Sequence, residues 1–80
     1  MNVTVIKQLV EDYSIEQLVK AEEAMLEETN PEIEIAGKDE GEKLTHVLAA
    51  IFCKHEMHRE NININQAVRL YSQRVRGSLD

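Results

Sequence analysis

Apolar positions recur every three or four residues along most of this chain, and the breaks in that rhythm divide it into segments. Ile6, Leu9, Val10 and Tyr13 fall on one side of a helix over about residues 4–12, although the β-branched run Val3-Thr4-Val5-Ile6 also suits the start of a strand. Ser14 and Gln17 then stand at the spacing of a capping box, where each side chain can reach the other residue's backbone N–H. The second helix that follows is striped by Ile15, Leu18, Val19, Met25 and Leu26. Thr29-Asn30-Pro31 stops it, because proline disfavours helical geometry at the residue before it. The stretch PEIEIAG, residues 31–37, alternates isoleucine with glutamate and predicts a short extended segment laid over an open end of the core. Asp39 and Glu42 repeat the capping-box spacing and open a third helix over about 40–58. After a break at Asn61–Asn65, a fourth helix over about 64–77 turns Ile64, Ala67, Val68, Tyr71 and Val75 inward. It points Arg69, Arg74 and Arg76 outward and ends at Gly77. The expected fold is all-α: a compact four-helix array with a short first helix and a long central third helix, forming a single helical domain over residues 1–80.

The third helix is apolar on two sides. Leu44, Val47, Leu48, Ile51 and Phe52 share one broad face, while Ala49, Ala50, Cys53 and Met57 lie opposite, together with His46. A helix apolar nearly all round is buried on more than one side. Three other short helices are not expected to cover both faces in a chain of 80 residues. The small-residue face, Ala49, Ala50, Cys53 and Met57, is therefore the expected seam of a homodimer.

Three stretches, VIKQLVEDYSIEQLVKAEEAMLEE, PEIEIAGKDEGEKLTHVLAA and RLYSQRVR, resemble a family of small, acidic, all-helical bacterial proteins of uncharacterised function. The resemblance runs from Val5 to about Arg76 and rests on caps and helix stripes. It implies an all-helical cytoplasmic domain and supplies no activity or ligand. The stretch matching Phe52–Ile62 in that family is not rich in histidine or cysteine. The run CKHEMHRE, residues 53–60, therefore departs from the pattern, which argues against a shared catalytic site there.

Charge sharpens the expectation of a protein partner. The net charge of −6 divides unevenly: residues 1–42 carry twelve acidic and three basic side chains, residues 43–80 three acidic and six basic. An acidic half repels phosphate, so no nucleic-acid partner is expected. A helix-turn-helix near the start would present Glu16, Glu22, Glu23, Glu27 and Glu28 against Lys20 alone. The split suits an acidic face of one helix lying near a basic face of another, and it also suits an acidic surface formed by Glu23, Glu27 and Glu28 that steers a basic protein partner. The lone Cys53 can form no disulfide within the chain and fits a reducing cytoplasm. No apolar run reaches the roughly 18 residues of a membrane span, and MNVTVIKQ lacks the parts of a signal peptide, so a cytoplasmic protein without membrane contact is expected.

The candidate chemistry is thin. His55-Glu56-Met57-His58 sets its histidines three apart, whereas the zinc-protease motif needs four. His55 and His58 could still join Glu22 of the second helix as two imidazoles and a carboxylate around a divalent metal, which is the alternative function. The plainer reading places both histidines at a helix end, where the dipole favours positive charge. Cys53 shares its face with alanines and reads as apolar filler rather than a nucleophile. Gly37 and Gly41 flank acids and are not followed by a phosphate-binding motif. The expectation is a non-enzymatic interaction module with no catalytic residue and no cofactor.

Overall fold

The computed structural model describes residues 2–79, and the side chains of residues 2–75. The chain forms four helices, α1 (Val3–Asp12), α2 (Ile15–Leu26), α3 (Glu40–Glu60) and α4 (Ile64–Leu79), with no strand among the described residues. α3 is the axis of the fold. Each of the other three packs on it, and they touch one another little.

Local capping explains where the helices start. Asn2 accepts from the N–H groups of Thr4 (2.9 Å) and Val5 (3.3 Å), so α1 starts at Val3 and the β-branched run is helical. The expected box at Ser14 forms completely: Gln17 N–H donates to Ser14 Oγ at 3.2 Å and Ser14 N–H to Gln17 Oε1 at 2.9 Å. Asp39 accepts from Glu42 N–H at 2.8 Å, while the Glu42 carboxylate lies 3.9 Å from His46 Nε2. A further box, unforeseen in the sequence, opens α4, with Asn63 N–H donating to Gln66 Oε1 (3.0 Å) and Gln66 N–H to Asn63 Oδ1 (2.9 Å).

The helix ends depart from expectation. α4 runs through Gly77 to Leu79, and the outward projection expected of Arg76 lies outside the described side chains. α2 ends at Leu26, well before Pro31, in a Schellman motif: Thr29 N–H bonds Ala24 C=O at 2.8 Å and Glu28 N–H bonds Met25 C=O at 3.1 Å. The motif holds Glu28 at φ 61°, where glycine is the unstrained residue. Residues 31–37 form no strand: the chain bends at Glu32 and Ile33 and runs on irregularly to Gly37. Ile35 is buried, Ile33 half-buried, and Glu32 and Glu34 are exposed, as the alternation predicts. Gly37 lets this segment approach α3, since a Cβ there would lie 2.7 Å from Lys43 Cγ and 3.0 Å from its backbone nitrogen.

The core takes in the small-residue side of α3 together with Val47 from the bulkier side. Of the expected dimer seam, Ala49, Ala50 and Cys53 have no exposed surface within one chain and Met57 is half-buried, and Val47 and His46 are buried with the first three. Leu48, placed by its periodicity in the core, is 41 % exposed, and Leu44, Ile51 and Phe52 are half-buried. Small side chains let neighbouring helices come nearer the α3 backbone. The face that looked free for a second chain is therefore filled from within, by Ile6, Leu9 and Val10 of α1, Leu18 and Ala21 of α2, and Ala67 and Val68 of α4. Phe52 stacks on Tyr71 at 5.4 Å with a 57° tilt, and the Arg74 guanidinium lies 5.4 Å from the Phe52 ring centre, which fixes α4 against the bulkier side.

Candidate functional site

His55 and His58 are exposed and Glu22 is half-buried. Among the described residues, no three His, Cys, Asp or Glu side chains stand together to hold a metal ion. The reason is the orientation of α3: the side that carries both histidines looks away from the core that Glu22 was expected to help line. Glu56, between them in sequence, turns to the buried side and takes two bonds from Arg59 Nη2, at 2.8 and 2.7 Å. CKHEMHRE is thus divided, with Cys53 and Glu56 inside, both histidines outside and Met57 half-buried. Burial pushes the Cys53 thiol up to about 11, which disfavours the thiolate that a nucleophile needs. The nearby Tyr71 hydroxyl is also raised, first by desolvation and then by Cys53.

Two polar groups overlooked in the sequence hold the frame. His46 is fully buried, and its Nδ1 lies 2.8 Å from Ala36 C=O while its Nε2 lies 3.0 Å from Asn2 N–H. Asn2 N–H can only donate, so Nε2 is the acceptor and Nδ1 carries the proton. One neutral ring therefore ties the start of α1 and the segment 31–37 to α3. Lys54 reaches across from α3 to donate to Val10 C=O at 2.8 Å, closing the last turn of α1 with a cation. Neither link had a sequence signal beyond a polar residue beside an apolar face, because both partners are backbone atoms of distant segments.

Where the α1–α2 turn meets the α3–α4 turn, a groove of about 750 Å³ opens. Its walls are apolar, from Val10, Ile15, Met57, Ile62 and Ile64, and its rim carries Lys54, His58 and Glu11. Ile15 and Ile64 are the first residues of α2 and α4, so two helix N-termini open at the groove. The first-turn N–H groups that the Ser14 and Asn63 caps leave over add partial positive charge to that of Lys54, set against Glu11 on the rim and Glu16 in the first turn of α2. The groove suits an apolar group flanked by negative charge.

The opposite end of α2 has the inverse character. Leu26, in its last turn, was expected in the core stripe but is 64 % exposed, the most exposed large hydrophobic among the described residues. Glu22 and Glu23 lie one turn before it on the same side, and Glu27 and Glu28 follow it directly. Glu23, Glu27 and Glu28, the predicted acidic surface, are all exposed and thus flank an apolar protrusion. The signal was present in the sequence as one leucine among four glutamates at a helix end. Helical periodicity alone assigned that leucine to the core.

The chain belongs to a family of unknown function, DUF6952, which it matches over residues 1–80. No curated protein and no solved structure matches it.

Proposed function

We propose that this member of DUF6952 is a non-enzymatic protein-interaction module that presents the acidic end of α2 to a protein partner bearing an apolar recess with a basic rim. One observation carries this reading: Leu26, 64 % exposed, is flanked in sequence by Glu22, Glu23, Glu27 and Glu28. The carboxylates steer a basic surface towards α2 and repel phosphate, and the leucine supplies apolar contact once the surfaces meet. The buried thiol of Cys53 suits a reducing cytoplasm as the setting.

The test compares proteins captured from native cells by the wild-type chain, by Leu26→Asp and by the triple variant Glu23→Lys, Glu27→Lys, Glu28→Lys. All four positions are exposed, so circular dichroism should show each variant folded. A partner retained by the wild type should be lost from both variants. Capture that is indifferent to both sets of changes sinks the proposal.

A further inference from the structure

We infer that the recess belongs to a second copy of this chain, so that Leu26 of one copy enters the groove of the next, head to tail; this rests on the docking role proposed for the end of α2. The two surfaces match in chemistry: an exposed leucine among carboxylates on one, and an apolar groove with Lys54 on its rim on the other. Val10, Ile15, Met57, Ile62 and Ile64 offer apolar walls of the kind that a protruding leucine needs. Four carboxylates flank the leucine in sequence, whereas Lys54 and two helix N-termini edge the groove, with Glu16 in the first turn of α2. Glu11, on the same rim, opposes Lys54 and selects the approach that sets the glutamates against that lysine. Lys54 spends one donor on Val10 C=O and keeps two for a carboxylate.

A chain cannot satisfy this contact by itself. Ile15 starts α2 at the groove and Leu26 ends it, about 16 Å further along the helix axis at the usual rise per residue. The contact is heterologous, so each added copy leaves one leucine and one groove unoccupied, and assembly continues into a ring or an open chain. It is also small beside the roughly 1,000 Å² of a stable interface. Association is therefore weak, concentration-dependent and reduced by salt.

Sedimentation velocity on the full chain, from micromolar to millimolar and at low and high salt, tests the inference. At low salt the mean mass should climb past twice that of the monomer as concentration rises, and it should fall back when salt is added. Leu26→Asp, which lacks the protrusion, and His58→Glu, which adds a second carboxylate to the rim beside Glu11, should each remain monomeric alone. Mixed in equal amounts they should form a dimer that grows no further, because each supplies the half that the other lacks. Melting curves check that both variants fold, and Leu26→Gln replaces the first if it does not. A wild type that stays monomeric at millimolar concentration in low salt overturns self-docking, as does a mixture that stays monomeric while the wild type associates. If the chain is monomeric yet Leu26→Asp still loses a captured protein, the docking role of α2 stands and only the self-partner falls.

Discussion

His46 joins two segments to α3 through a single neutral ring, and its replacement would release two backbone groups at once. In His46→Ala, Ala36 C=O loses its donor and Asn2 N–H its acceptor, and a cavity opens beside Val47 and Ala50. Ala36 and Asn2 are both exposed, so water can replace the bonds in part. With about 1 kcal/mol for each lost bond and the cavity left by the buried ring, a loss of about 2 kcal/mol or more is expected in urea unfolding, with Asn2 N–H exchanging faster. Cys53 makes a different prediction. Folding raises its thiol from the ordinary 9.0 to about 11, so the folded state favours the protonated form. That contribution is complete below about pH 9 and is lost as the pH rises towards about 11. The urea midpoint should fall in this window, less steeply in Cys53→Ala. At neutral pH a thiol reagent should react only as fast as the chain opens.

At the scale of the helix, the decisive feature is which face of α3 is inside. Ala50 has no exposed surface, so Ala50→Glu puts a carboxylate into the core cluster that Ile6, Leu18 and Val47 help to form. The cost of an unpaired buried charge is several kcal/mol, and circular dichroism should show a largely unfolded chain. Had Ala50 lain in a seam between chains, the same change would have parted two folded subunits. The helices themselves were legible in the sequence because caps and stripes depend on residues three or four apart, as Ser14 and Gln17 show. The orientation of α3 was not, since both of its faces are apolar and the choice depends on how near other helices can come. Alanine at 49 and 50 permits a closer approach than leucine at 44 and 48, and the periodicity of one helix says nothing about its neighbour's distance. The candidate site followed the same rule. The run of glutamates could be read directly, whereas the exposure of Leu26 and the groove formed by two distant turns depend on tertiary packing.

Across the whole molecule, charge acts on folding and on association with opposite signs. The carboxylates of residues 1–42 repel one another within a body 32 × 29 × 19 Å in extent. The repulsion is cut as the screening length shrinks from about 30 Å at 0.01 M to about 3 Å at 1 M. Added salt should therefore raise the melting temperature, measured by circular dichroism at low protein concentration, over the same range in which it weakens self-docking.

The radial plan of the fold has a further consequence for how sequence change accumulates. Because α1, α2 and α4 meet α3 far more than they meet one another, substitutions on the outward faces of two outer helices share few neighbours and their energetic effects should simply add. Substitutions in α3 alter three contacts together and should show strong epistasis. The outer helices are thus free to vary independently and the axial one is not, so new binding surfaces can be explored on α2 or α4 without renegotiating the rest of the structure.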